Sequence, residues 1–209
     1  IALQERFVVQ SRGLAVKKTS TKRHEISLSI KKFRAILHKN KIQEVATRMV
    51  DEADFTEWQQ KVEGTNISST TLLATDYLNH FNEIVMLLEM VPDMPDMIED
   101  CKEWAPKSYQ DHFRDSTFSD KELAIEAYEH VPPRFRQPFE ETINHLNTIV
   151  AHAITQLEAI IADGNEALLR ETAHAITVSL QKFMDVASGI IHGSAKTMSQ
   201  DEIDAALAL

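Results

Sequence analysis

The sequence predicts an all-α fold, an antiparallel helical bundle with a long helical hairpin in its C-terminal half. Apolar residues recur at three- and four-residue spacing over long stretches, and no alternating segment is long enough to indicate a sheet. The 209 residues include only five glycines and six prolines, so few positions interrupt a helix. With 43% hydrophobic residues, a chain of this length can bury a substantial core.

The first helix is predicted from about Lys22 to Met49, within a strongly basic region. Residues 1–50 carry twelve Lys/Arg against three Asp/Glu, whereas residues 51–209 carry ten against twenty-nine. This asymmetry is typical of an arm for nucleic acid or anionic lipid, or of a segment that packs on an acidic protein surface. Aromatic residues do not alternate with the basic ones as on a single-strand binding surface, which favours packing against protein.

Polar residues 64–70 interrupt the apolar pattern and set the first predicted boundary. We therefore expect three regions. They are a basic N-terminal helical region (1–66), a helical bundle (67–192) and a C-terminal docking peptide (193–209).

The next helix is predicted over residues 71–90, where the apolar residues again have helical period until Pro92 and Pro95 end it. A short helix ending near Trp104 is expected to follow. The polar residues 105–118 are expected to be irregular.

Ser119 and Glu122 have the spacing of a capping box, which predicts a helix that ends before Pro132. Two long helices follow, at about 138–162 and 166–192, with a proline at the first position of the former. Since Asp163-Gly-Asn separates them, they are predicted to form an antiparallel hairpin, which needs the helix 71–90 against it to bury its apolar stripes.

Cysteine content and hydropathy constrain the class of protein. The single cysteine, Cys101, excludes an intrachain disulfide and indicates a reducing, cytoplasmic setting. No stretch reaches eighteen uninterrupted apolar residues, and the first residues lack the pattern of a signal peptide. We expect no membrane contact.

Nine histidines raise the question of a metal centre. Glu171 and His174 match the Glu-x-x-His spacing of ferritin-like bundles, but that architecture needs a second such pair and two more glutamates. A helical wheel also turns His145, His152 and His174 away from the apolar stripes of their helices. We therefore predict no metal ligand and no cofactor, with a ferritin-like metal-binding bundle as an alternative. The candidate ligands are Asp76, His80, Glu83, Glu141, His145, His152, Glu171 and His174.

Two pairs of side chains could orient water for hydrolysis. Glu141 with Asn144, and Gln181 with Asp185, place a carboxylate and an amide one turn apart, as enzymes acting on phosphorylated receiver domains do. Such pairs are frequent in polar helices, and a nucleophile elbow, a phosphate-binding Gly-rich loop and a zinc ribbon are all absent. We predict no catalytic residue.

The final residues, 197–209, are predicted to form a short acidic amphipathic helix. Ser199 and Glu202 have capping-box spacing, and Asp201 and Glu202 lie in the first turn, where the helix dipole favours carboxylates. Ile203 and Leu207 then follow at i and i+4, the spacing of anchors that an amphipathic helix places in a groove. The alternative is that this helix caps its own bundle or a neighbouring subunit in a homo-oligomer.

The string Ser199-Gln-Asp-Glu-Ile-Asp204 resembles the peptide at the start of the flagellar switch protein FliM, and is similar, less closely, to the tail of the phosphatase CheZ. In both families this peptide binds the receiver domain of the response regulator CheY. The resemblance implies Ile203 and Leu207 as apolar anchors, with acidic residues orienting the helix towards basic receiver residues. The implied partner-binding residues are Ser199, Asp201, Glu202, Ile203, Asp204 and Leu207.

The sequence departs from the FliM pattern at Ala206, where that pattern has leucine, and the loss of buried methyl groups lowers the expected affinity about tenfold. The Asp-Leu-Thr-Gly-Gln motif of CheZ is not found in the body of the chain. We therefore expect a non-enzymatic regulatory or adaptor protein of bacterial chemotaxis or phosphorelay signalling that binds a CheY-like receiver domain. A CheZ-like phosphatase is the leading alternative.

Overall fold

The structure is a computed structural model in which the described residues are 38, 39, 41, 43, 52–194, 198 and 200–207. The helix predicted over residues 22–49 lies outside them, apart from four positions that are helical. The chain forms two compact units, Ile1–Glu52 and Ala53–Leu209, and the core and candidate sites below belong to the second. The predicted division at residues 66 and 192 stays a prediction, because compactness alone does not show which segments fold independently.

The described residues confirm the all-α fold. They contain no β-strand, only an isolated bridge between Ile67 and Ala74. A 3-10 turn precedes α2 (Thr75–Leu78) and another precedes α3 (Pro95–Met97). The helices are α1 (described over 52–61), α2 (Asn79–Met90), α3 (Ile98–Glu103), α4 (Tyr109–Asp115), α5 (Lys121–Glu129), α6 (Pro133–Asp163), α7 (Glu166–Ile191) and α8 (Gln200–Leu207).

Helix α2 begins later than the periodicity predicts, because residues 71–74 form a compact buried loop. Leu72 has a positive φ of 66°, which reverses the chain while its side chain remains fully buried. Its N–H donates to the Ser68 carbonyl at 2.7 Å. The Thr71 hydroxyl donates to the Ile191 carbonyl at 2.5 Å, so this loop is attached to the end of α7.

The predicted start of the first long helix at Pro138 is wrong, since α6 begins five residues earlier at Pro133. Pro133 occupies the first helical turn, where the missing N–H has no intrahelical partner to lose. Pro138 lies inside the helix and cannot donate to the carbonyl four residues before it. Its own carbonyl accepts a hydrogen bond from the Thr142 hydroxyl at 2.8 Å.

The long hairpin formed by α6 and α7 is confirmed, as is its tight turn. Gly164 ends α6 with a φ of +69°, and its N–H donates to the Ile161 carbonyl at 3.0 Å. The Asn165 side chain caps α7 by accepting from the Leu168 N–H at 3.1 Å. The two helices have 31 and 26 residues, or roughly 46 and 39 Å at 1.5 Å per residue.

Two local predictions between α3 and α6 are wrong. Residues 105–118 are not irregular throughout, since they contain α4, which Ser108 caps by accepting from the Asp111 N–H at 3.0 Å. The capping box predicted at Ser119 does not form, because the N-terminal cap of α5 is Asp120, without a side-chain hydrogen bond. Short polar helices of this kind are marginal alone and depend on tertiary packing.

The helices of the second unit pack around one hydrophobic core. Helix α7 packs on α6 and α2, α3 packs on α6, and α4 packs on α5. Within the described residues, no helix combines the length and the apolar character that crossing a bilayer requires. The largest fully buried side chains are Tyr77, Phe81, Phe113, Phe139, Phe183, Leu72, Leu73, Ile84, Leu88, Leu146, Leu157 and Ile176.

Candidate partner-docking site

The acidic helix predicted near the end of the chain is present as α8, with Asp201 and Glu202 in its first turn. It follows α7 after a turn at Gly193, whose φ is +88°. The cap predicted at Ser199 and the side chain of Leu207 lie outside the described part of the chain. The helical prediction is confirmed, whereas these two roles stay predictions.

Helix α8 packs on α6, and its apolar side contributes to the core of the unit. Ile203 is half-buried and packs against the core cluster, as does Met198 just before the helix. Asp201, Glu202 and Asp204 are exposed. The helix therefore has a core to join, and Ile203, one of the two predicted anchors, contacts its own bundle.

A buried loop fixes the point at which the chain leaves α7 for α8. The hydrogen bond from Thr71 to the Ile191 carbonyl satisfies one of the last carbonyls of α7. A Cβ placed on Gly193 would lie 2.7 Å from Thr70 Cγ2, so a residue larger than glycine requires movement there. The positive φ at Gly193 and this close approach together explain why glycine occupies the turn.

The structure does not bring the predicted metal-ligand candidates together. Among the described residues, no group of three or more His, Cys, Asp or Glu side chains could hold a metal ion. His145 lies beside Phe183, with 5.8 Å between ring centroids. The candidates that are exposed on the helix surfaces are Glu83, Glu141, His152, Glu171 and His174.

Asp76 and His145 are half-buried, whereas His80 is buried, only 6% exposed, and packs in an aromatic cluster. Its ring lies 6.1 Å from that of His112, measured between centroids. Burial, the neighbouring His112 and the Lys107 cation lower the pKa of His80 to about 4. A neutral imidazole in this environment is a core residue, and sequence periodicity alone would not distinguish it from a ligand.

The two carboxylate and amide pairs have different surroundings. Gln181 Nε2 donates to the Asp185 carboxylate at 3.0 Å, and both side chains are exposed on the wall of a cleft of about 430 Å³ between α2 and α7. On α6, Glu141 accepts from Gln137 at 3.0 Å, while the exposed Asn144 lies in another cleft. Of the two pairs, only Gln181 and Asp185 form a hydrogen bond with each other.

The cleft that contains Asn144 is not predictable from the sequence. This cleft, of about 390 Å³, is lined by all three tyrosines of the chain, Tyr77, Tyr109 and Tyr128. Burial raises the pKa of each phenol, and Tyr128 donates to Glu140 at 2.8 Å. The three residues come from separate segments, so no spacing in the sequence signals that they meet.

The fold and these surfaces define an all-α bundle built on a helical hairpin, with a short acidic helix packed on that hairpin. No protein family, curated protein or solved structure matches the chain. The receiver binding implied by the resemblance of residues 199–204 to the FliM and CheZ peptides therefore stays a prediction.

Proposed function

We propose that this protein is a regulatory or adaptor protein of chemotaxis or phosphorelay signalling that binds a CheY-like receiver domain through α8. One observation carries the proposal. A short acidic helix, set apart from α7 by the Gly193 turn, contains residues 200–204 of the string that resembles the FliM peptide. Such a helix can present a small apolar face with acidic neighbours to a basic groove.

Because α8 packs on the bundle through Ile203, the bundle and a bound receiver would compete for the same face of α8. Ile203 is half-buried against the core, so a partner that uses Ile203 as an anchor must first displace α8. The apparent affinity of the chain is then reduced by the fraction of molecules in which α8 is released. The isolated peptide does not have to be displaced from the bundle, so it should bind the receiver more tightly than the intact chain.

A titration of a ¹⁵N-labelled CheY-like receiver domain from the host tests the proposal. The peptide 197–209 and the intact chain should both shift the same receiver amides, with the peptide saturating at lower concentration. In the peptide, Ile203→Ala should weaken binding about tenfold, because it removes buried methylene groups. Ala205→Gln is the matched control, since Ala205 is exposed and lies opposite Ile203 on the helix.

The proposal fails if no receiver of the host responds to the peptide, or if Ile203→Ala and Ala205→Gln behave alike. Binding of the peptide but not of the intact chain, even when the receiver is saturated with the chain, would also contradict it. In that case α8 would be a structural element of the bundle.

The hydrogen-bonded pair of Gln181 and Asp185 favours a second candidate, a phosphatase of the phosphorylated receiver. Both side chains line an open polar cleft, where an amide and a carboxylate could orient water. Phosphate release from the phosphorylated receiver separates the candidates. An adaptor leaves the rate unchanged, whereas a phosphatase raises it and loses the effect in Gln181→Ala.

A further inference from the structure

The cleft that contains Asn144 has the size and the lining of a site for a small organic molecule. Its volume is about 390 Å³, and it is lined by the segment 106–110, which leads into α4, and by one face of α6. Aromatic side chains combined with a few polar groups are typical of such sites. The lining residues outside the segment 106–110 are Tyr77, Tyr128, Phe139, Glu140, Ile143, Asn144 and Asn147.

Several hydrogen-bond donors in this lining are already bonded within the protein. Tyr77 donates to the Lys107 carbonyl and Tyr128 donates to Glu140, each at 2.8 Å. The Lys107 ammonium pairs with Asp115 at 2.9 Å, which offsets its charge. The cleft therefore offers few unused donors to a ligand that needs them.

Two acceptors on α6 are available instead. The exposed Glu140 carboxylate accepts from Tyr128 and has no ion-pair partner among the described residues. Asn147 Oδ1 is buried and accepts no hydrogen bond from the described residues, an arrangement that is rare in folded proteins. Asn147 follows Glu140 by seven residues, about 10 Å along the helix, and Ile143 lies between them on the same face. This face of α6 therefore has a charged acceptor, an apolar side chain and a second acceptor in a row.

We propose that this cleft binds a small free amine that carries an apolar ring and a second hydrogen-bond donor. Its ammonium group would pair with Glu140, and its ring would pack on Ile143 and the aromatic lining. Its second donor would bond to Asn147 Oδ1 after the amide rotates towards the cleft. An anionic ligand is disfavoured, because it would be repelled by Glu140.

An NMR titration of the intact ¹⁵N-labelled chain tests this assignment, with the side-chain amide signals of Asn144 and Asn147 as the readout. The probe is tyramine, which has an ammonium group, a ring and a hydroxyl. Phenethylamine lacks the hydroxyl, para-ethylphenol lacks the amine, and para-hydroxyphenylacetate has a carboxylate in its place. Tyramine should shift both amide signals saturably. Phenethylamine and para-ethylphenol should each bind about tenfold more weakly, and the carboxylate should leave the signals unchanged.

Variants assign the two ends of the ligand. Glu140→Gln keeps an acceptor for Tyr128 but removes the charge, so it should weaken tyramine binding about tenfold and leave para-ethylphenol binding unchanged. Glu141→Gln is the matched control, since Glu141 is exposed on the same helix but does not line the cleft. Asn147→Ala should weaken the binding of tyramine but not of phenethylamine. It should leave the unfolding midpoint nearly unchanged, because Oδ1 has no hydrogen bond to lose.

Four outcomes would overturn the assignment. They are the absence of saturable shifts with tyramine, equally tight binding of para-ethylphenol or para-hydroxyphenylacetate, equal effects of Glu140→Gln and Glu141→Gln, and equally tight binding of phenethylamine. Tighter binding of acetyl-lysine methylamide than of tyramine would also contradict it, because a lysine side chain of a partner would then be the ligand. No described residue of α8 lines this cleft, so the outcome is independent of receiver binding.

Discussion

The imidazole of His80 stacks on the indole of Trp104, with 4.6 Å between ring centroids and 20° between planes. The Trp104 Nε1–H also donates to the His80 carbonyl at 3.1 Å. Helix α2 and the residue that follows α3 are thus joined by a stack and a hydrogen bond. This arrangement buries His80, which the sequence alone does not distinguish from the other eight histidines.

The His80 stack makes folding stability depend on pH. Because its pKa falls from the ordinary 6.5 to about 4 in the folded state, protonation favours the unfolded chain. The stability that depends on neutral His80 is complete above about pH 6.5 and is lost as the pH falls towards 4, and its full size is roughly 3 kcal/mol. Urea unfolding at several pH values should show this loss in the wild type.

His80→Phe keeps a ring against Trp104 and should remove that part of the pH dependence. His152→Gln, at an exposed histidine, should leave it intact. Equal pH profiles for the wild type and His80→Phe would contradict the assignment of the low pKa.

Thr71→Val should lower the free energy of unfolding by about 1 to 3 kcal/mol, because it leaves the buried Ile191 carbonyl without its donor. Thr148→Val is the control, since the Thr148 hydroxyl donates to a helix carbonyl at an exposed position. Urea unfolding measures both. If the two variants lose the same stability, the hydrogen bond to Ile191 does not fix the end of α7.

Gly193→Ala should be more destabilising than Gly64→Ala. Both glycines have a positive φ, which costs an alanine about 1 to 2 kcal/mol. Only at Gly193 does the new Cβ approach a neighbour, Thr70 Cγ2 at 2.7 Å. The double variant Thr70→Ser, Gly193→Ala removes that methyl group and should recover the difference between the single variants in thermal unfolding. A double variant no more stable than Gly193→Ala would show that the close contact costs nothing.

The Cys101 thiol should resist modification by Ellman's reagent in the folded protein. It is fully buried, and burial raises its pKa to about 11, so little thiolate is present at neutral pH. Reaction should become fast in urea at the unfolding transition. A cysteine introduced at the exposed Ala159 should react at once in the native state, and native Cys101 reacting as fast would contradict its burial.

Helical periodicity was enough to predict the bundle and its hairpin, because α6 and α7 are long and each repeats an apolar stripe many times. The turn between them was also predictable, since Gly164 and Asn165 supply a left-handed residue and a cap. Shorter elements carry few repeats. Helix α4, with seven residues, was missed for that reason, although Ser108 and Asp111 have capping spacing.

The candidate site was predicted in part. The acidic helix α8 follows from its own residues, but the contact of Ile203 with the bundle does not. The cleft beside Gln181 and Asp185 was not predicted, because its walls come from α2 and α7, which lie far apart in the sequence.

The sequence by itself determined the long helices, the turn of the hairpin and the acidic helix near the end of the chain, since these depend on neighbours within a few residues. Only the tertiary structure decided that His80 is buried, that Pro138 lies within α6 and that Ile203 packs on its own bundle. Each of these depends on contacts between distant segments, whose burial energy exceeds local preference.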